Sequence, residues 1–260
     1  MRSSTPPGET IPGRRIESHV SYLVRHRAVA DPALRLVCFP HAGGGAGFFR
    51  DWPRHLDPSV EVVAVRYPGR ETRMGEALIP TMDALVPQVA VELLAETPVP
   101  TVLLGHSMGA AVAYESLLRL EAAGADHVTR LCVSGRGLPA PTAVLPPRTD
   151  EELIAAVTDL GGPHVEVWSH PELRELFLPV IRNDFRLIDT YRRREDAPLL
   201  RADVVALTGD RDPRVTPLGA RAWSTVTTGA FASHVFEGDH FYLVPHAEQV
   251  AHLAVARHGA

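Results

Sequence analysis

The stretch TVLLGHSMGAAVAYESLL, Thr101 to Leu118, decides the fold. Thr101–Leu104 is short, apolar and suited to a strand covered on both faces. Ala110–Ala123 then carries the composition of a helix. Only Gly105-His106-Ser107-Met108-Gly109 separates the two, so the chain must reverse inside a G-x-S-x-G turn. The reason for the pattern is steric. The serine occupies a strained turn, the flanking glycines let strand and helix approach closely, and the hydroxyl points out past the carboxyl end of the sheet. A turn serine without chemistry is the competing reading, and the flanking strand and helix weigh against it.

Outward from this turn the same alternation repeats. Strands are expected at Leu34–Phe39, Val60–Tyr67, Thr101–Leu104, Leu131–Ser134, Asp203–Thr208 and Ser233–Phe236. Helices are expected at about Met82–Glu96, Ala110–Ala123 and Pro245–Ala256. Alternating short apolar strands and longer helices predict an α/β fold, a mainly parallel central sheet flanked by helices. The rhythm breaks between Leu138 and Leu200. The Pro-rich run LPAPTAVLPP is followed by two amphipathic helices. Thr149 or Asp150 caps the first, which ends at Gly161-Gly162. The second runs from about Pro171 to Tyr191, with Leu173, Leu176, Phe177, Val180, Ile181, Phe185 and Ile188 as its apolar stripe. An insertion of about residues 138–200 without a strand reads as a helical cap, or lid, over a site on the sheet. Phe177, Val180, Ile181 and Phe185 are the candidates to face that site, and Gly161-Gly162-Pro163 is a candidate hinge. Residues 1–18, rich in Pro, Gly, Ser, Thr and Arg, read as a flexible tail ahead of a 19–260 domain.

A serine hydroxyl needs a base, and the base needs an acid to orient it. Around such an elbow the chain order is Ser, acid, His. The strand DVVALT ends in Gly209-Asp210-Arg211-Asp212-Pro213, where Asp210 and Asp212 both qualify by position. The last strand ends in Phe236-Glu237-Gly238-Asp239-His240-Phe241, where His240 is selected among the 13 histidines by chain order. His106, His41 and His234 read as structural or rim residues, and His246, His252 and His258 as solvated. The glycine-rich Pro40-His41-Ala42-Gly43-Gly44-Gly45-Ala46-Gly47 lacks a dinucleotide fingerprint and fits an oxyanion loop, with the Met108 amide as second donor.

Composition removes several classes. All 26 basic residues are arginine, which excludes Schiff-base and P-loop lysine chemistry. The net charge of −5 gives no general attraction to nucleic acid or to an anionic membrane. No apolar run is long enough to span a bilayer, and the N-terminus has no secretion-signal core, so a cytoplasmic location is expected. Cys38 and Cys132 read as reduced, buried small hydrophobes rather than a disulfide. No His/Cys spacing suits a metal, and no cofactor is expected.

Taken together, FPHAGGGAGFF, GHSMGA, GDRDPRV and GDHFYL resemble the type II thioesterases of polyketide and nonribosomal peptide pathways, which are α/β-hydrolases. The resemblance runs from about Val37 to the C-terminus and includes RNDFRLIDTY in the cap. It implies hydrolysis of acyl groups from the phosphopantetheine arm of acyl or peptidyl carrier proteins, clearing stalled or misprimed synthases, by a monomer or weak dimer. It also implies Ser107 as nucleophile, His240 as base, Asp212 as acid, and the Ala42 and Met108 amides as oxyanion donors. A small-molecule carboxylesterase with the same triad and a non-catalytic binding module on a hydrolase scaffold are the alternatives. Arg192-Arg193-Arg194 is either a docking patch for an acidic carrier or a solvated charge run.

Overall fold

The structure, a computed structural model, describes residues 20–138, 148–161 and 170–256. Seven strands form one sheet: β1 (Leu23–Arg27), β2 (Leu34–Phe39), β3 (Val60–Val65), β4 (Thr101–His106), β5 (Val128–Ser134), β6 (Asp203–Gly209) and β7 (Phe231–Phe236). Their order is β1-β3-β2-β4-β5-β6-β7. Every pair is parallel except β1 with β3. The helices are α1 (Met82–Ala95), α2 (Met108–Ala122), α3 (Asp150–Asp159), α4 (Pro171–Thr190), α5 (Pro217–Arg221) and α6 (Ala247–Val255). The chain has the mainly parallel, helix-flanked sheet expected from its strand–helix rhythm, the α/β-hydrolase architecture that the resemblance implies.

The central strands are apolar on both faces because both faces are covered. Val37, Phe39, Val63, Val65, Leu103, Leu131 and Val133 point to the side where α1 and α2 lie. The alternate residues Leu36, Cys38, Val62, Ala64, Val102, Leu104 and Cys132 point to the other, against Phe49, Trp52 and Val250 of α6. Cys38 and Cys132 are both free and buried. They occupy the same register on β2 and β5 with Leu104 of β4 between them, about 10 Å apart at ordinary strand spacing and too far to be bridged.

Two elements escape the sequence reading. The first is β1, whose sequence LVRHR carries three basic residues in five positions. It is an edge strand, and its arginines lie along the rim. Arg25 pairs with Glu61 and Glu96, and Arg27 donates to carbonyls of Leu56 and Asp57. The second is the five-residue α5, too short to show a period. Boundaries also move by a few residues: β5 starts at Val128, and β3 stops at Val65.

Between β5 and β6 lie α3 and α4. The capping box at α3 is formed in both directions: Glu152 N donates to Thr149 Oγ1 (3.2 Å), and Thr149 N donates to Glu152 Oε2 (2.7 Å). Leu153 of α3 packs with Leu178, Ile181 and Phe185 of α4, and Ala42 joins this cluster. Leu173 and Leu176, at the N-terminal end of the expected stripe, are exposed instead, while Leu178 is buried. The tail at residues 1–18, the Pro-rich run at 139–147, Gly162, Pro163 and His258 lie outside the described residues.

The C-terminal end of α4 is tied to α2 by one buried bond. Tyr191 Oη donates to Glu115 Oε1 at 2.7 Å. Tyr191→Phe leaves that carboxylate without its short donor. It should lower stability by about 1–3 kcal/mol in a denaturant titration, with no change in the shape of the far-UV spectrum.

Candidate active site

Ser107 sits at φ 55 and ψ −115, a backbone conformation that side-chain-bearing residues adopt at a cost of about 1–3 kcal/mol. Two contacts hold it there. A Cβ at Gly105 would lie 2.2 Å from Gly109 O, and one at Gly109 would lie 2.0 Å from Phe39 O. The glycines are therefore required by backbone-to-backbone contact between β4, α2 and the end of β2. Ser107 N donates to Ser134 O at 2.8 Å, which fixes the turn against β5. The serine is partly exposed, while its neighbours on both sides are buried.

The structure selects between the two acids. His240 Nδ1 lies 3.0 and 2.9 Å from the two carboxylate oxygens of Asp212, and both side chains are essentially buried. Asp210 is turned away. It accepts from Gly238 N at 2.8 Å and pairs with Arg211, which braces the loop carrying His240. His240 Nε2 is buried and without a hydrogen-bond partner, so it makes no bond to Ser107 in the free protein. Such contacts commonly tighten only when substrate is bound. The His106 ring lies 4.9 Å from that of His240. His106 Nδ1 bonds Ser134 Oγ at 2.9 Å, and Ser134 Oγ contacts Tyr242 Oη at 2.6 Å. Burial pushes His106 well below the usual histidine range, with His240 and His41 adding to the shift, so its imidazole is neutral beside His240. His246 is paired rather than merely solvated, with Gln249 at 2.8 Å and the Glu237 carbonyl at 3.0 Å.

The glycine-rich loop after β2 is held by three charged residues that the sequence reading did not single out. Asp184 of α4, only 2% exposed, accepts from Gly43 N at 2.8 Å. Arg70 donates to both Asp184 oxygens (2.8 and 2.9 Å) and to Gly44 O (2.9 Å). Glu71 accepts from Gly47 N at 2.7 Å. At Gly43 φ is +77, and a Cβ there would lie 2.4 Å from Ile181 Cδ1, so α4 rests directly on the loop. The available signal was a carboxylate at position 184 in the middle of an apolar helical stripe. The Met108 amide belongs to the first turn of α2, where no carbonyl of its own helix can reach it. Because α2 begins against Phe39 and Pro40, that amide and the loop bearing Ala42 share one end of the sheet.

Two further expectations are refined. Ile181, Val180 and Phe185 are buried on α4, with Ile181 over Gly43 and Val180 near Gly69, while Phe177 is only half-buried. The arginine run is not an open patch. Arg192 donates to Asp189 O (2.8 Å) and Tyr191 O (2.6 Å), Arg193 is half-buried near Tyr114, and Arg194 alone of the three is exposed. Among the described residues, no helix is long and apolar enough to cross a membrane.

Residues 34–257 match the profile of the thioesterase domain family. The chain belongs to that family. A probable cadicidin biosynthesis thioesterase from Streptomyces griseus is 40% identical over 236 residues, covering 90% of this chain and 64% of the relative's own length. The thioesterase PikA5 of Streptomyces venezuelae is 34% identical over 247 residues, covering 91% of this chain and 86% of the relative. Among solved structures, the type II thioesterase BorB from the borrelidin biosynthetic cluster superposes with a TM-score of 0.80 at 39% identity, over 89% of this chain and 95% of that one. In this thioesterase the contacts at Gly105 and Gly109 are a strict test of the elbow. Gly109→Ala should cost about 1–3 kcal/mol or more of overpacking, visible as a lower melting temperature, because the new methyl meets backbone carbonyls that cannot rotate away.

Proposed function

We propose that this thioesterase hydrolyses acyl groups from the phosphopantetheine arm of acyl or peptidyl carrier proteins, with Ser107 as nucleophile, His240 as base and Asp212 as its orienting acid. The observation that carries the reading is the buried Asp212–His240 pair, with Nε2 unengaged, beside a serine held on a strained elbow. No comparable observation favours a carboxylesterase or a binding module. A carrier-bound substrate also implies work in the cytoplasm beside the synthase.

The chemistry follows from these roles. Asp212 accepts a hydrogen bond from Nδ1–H and so holds the imidazole with Nε2 as the basic nitrogen. As Ser107 Oγ attacks the thioester carbonyl, its proton passes to His240 Nε2. Negative charge develops on the former carbonyl oxygen, and the amides of Ala42 and Met108 receive it. The tetrahedral adduct collapses, the C–S bond breaks, and the leaving thiolate takes the proton from His240. Water, deprotonated by His240, then attacks the acyl-serine and releases the acid. A thiol of ordinary pKa about 8.5 leaves easily. The enzyme's main task is therefore to position the carbonyl and to admit a long arm. The helices α3 and α4 form the lid of the 138–200 insertion in this reading, with Ile181 and Phe185 bounding the acyl chain.

The nucleophile and acid are tested together. On an acylated carrier protein followed by intact-protein mass spectrometry, Ser107→Ala should lower turnover by about 10³-fold or more while the protein stays folded. Asp212→Asn should lower it by up to about 10⁴-fold through loss of the correct imidazole tautomer. Asp210→Asn, which only loosens a loop bond, should cost far less, and the reverse ranking would refute the assignment.

The oxyanion loop gives a separate expectation. Asp184→Asn leaves Arg70 buried without its counter-charge, a loss of about 3–5 kcal/mol in stability. It also replaces the carboxylate that Gly43 N donates to by a weaker amide acceptor, beside the Ala42 donor. The kcat should fall by about ten- to hundred-fold with little change in KM, because the loop acts on the transition state more than on bound substrate.

A further inference from the structure

Buried arginines in this chain follow a rule. Arg35 is bonded to Glu61, Arg70 to Asp184, Arg73 to Glu76, and Arg130 to the Ala254 carbonyl. Arg66, whose Nε is buried, donates from Nη2 to Ser21 O. Arg136 breaks the rule. Its Nε is buried without a partner, and among the described residues its guanidinium donates to no carbonyl or carboxylate. A half-buried cation with nothing to bond is costly unless a ligand completes it.

The position of Arg136 is as informative as its lack of a partner. It follows β5 directly, at the same end of the sheet as Ser107. The preceding residue, Gly135, packs so closely that a Cβ there would lie 2.7 Å from His106 Cε1 and 3.1 Å from His240 Cε1. The backbone is pinned on each side. Gly135 N donates to Leu207 O at 2.9 Å, and the wholly buried Trp223 donates from Nε1 to Arg136 O at 2.8 Å. Gly137 lies against Val215 and Gly219, which places Arg136 beside the segment carrying Arg214, two residues beyond Asp212. The second cation adds positive potential to the first. The nearby carboxylate, Asp189, is engaged by Arg148 at 3.1 Å. Burial pulls the Arg136 guanidinium down to about 10, still fully charged at neutral pH. The backbone beside His240 is rigid, and one residue on it carries a planar cation that lies near Tyr191, Arg214 and Asp189 and donates to none of the described residues, an arrangement suited to a bidentate oxyanion.

We propose that Arg136, supported by Arg214, is a binding site for an anionic oxygen group of the substrate: the phosphate of the phosphopantetheine arm or a carboxylate on the acyl chain. The proposal rests on the thioesterase reading for its substrate class, but the cation site is defined by the structure alone.

Three thioesters separate the sources: propionyl-N-acetylcysteamine, which is neutral; malonyl-N-acetylcysteamine, which carries an acyl carboxylate; and propionyl-4′-phosphopantetheine, which carries the arm phosphate. Wild-type, Arg136→Gln and Arg136→Lys proteins are compared on each, with melting temperatures to confirm folding. Arg136→Gln should lower kcat/KM by about ten- to hundred-fold, mostly through KM, on the substrate bearing the recognised anion. It should stay within about twofold on the neutral one, and Arg136→Lys should fall between. A selective loss on the malonyl substrate assigns a carboxylate, and on the phosphopantetheine substrate a phosphate. An equal loss on all three, or no loss on any, overturns the proposal. If the wild-type protein hydrolyses none of them, the thioesterase reading fails. Calorimetric titration with 4′-phosphopantetheine and with malonate then decides the anion site independently. Binding that is lost in Arg136→Gln supports the site, and binding that is equal or absent overturns it.

Discussion

The close approach of three backbones at Gly105 and Gly109 is the constraint on which the rest of this protein depends. The end of β2, the end of β4 and the start of α2 meet there with no room for a Cβ. That contact drives Ser107 into the left-handed region, lifts its hydroxyl above the sheet, and starts a helix whose first amides face the same way. It explains why β4 and α2 are apolar almost all round. An elbow under strain persists only where its surroundings over-determine it, and strand, helix and neighbouring loop all do so here.

A second constraint joins the site to the helices above it. Arg70 and Asp184 form a buried bidentate pair, and its spare valences hold Gly43 N and Gly44 O. Taking both charges out of water is expensive, and replacing them with apolar side chains would leave the loop amide and carbonyl unbound. The pair is understandable as a positioning device: it makes the shape of the glycine-rich loop depend on where α4 lies. Movement of α4 would therefore be felt at the Gly43 amide beside Ala42, without a separate hinge in the loop.

The two histidines beside the site divide its labour through environment. His240 keeps one nitrogen on Asp212 and the other unengaged, while His106, one residue before Ser107, is wholly buried and neutral against it. A neutral ring there adds no charge that would oppose protonation of His240 in the proposed mechanism. The chain Tyr242–Ser134–His106 fixes that ring, so sequence positions far apart combine to keep one imidazole in place.

Much of this was written in the sequence because it rests on local physics. A buried strand, two glycines around a serine, and a helix can join in very few ways. A cap at Thr149 or Asp150 and the two-faced apolar strands are likewise properties of neighbouring residues. Tertiary structure decided what depends on distance between remote segments. Asp210 and Asp212 are two residues apart and equivalent in sequence, and only the folded loop shows that one meets His240 while the other braces Gly238. The edge strand β1 was hidden by its charges, which pair with β3 and the rim rather than with neighbours in sequence. The partners of arginine are invisible in a linear chain with 26 basic residues, all of them arginine. Which guanidinium finds a carboxylate, as Arg70 finds Asp184 across 114 residues, and that Arg136 finds none among the described residues, is settled by packing, where sequence carries no spacing rule to read.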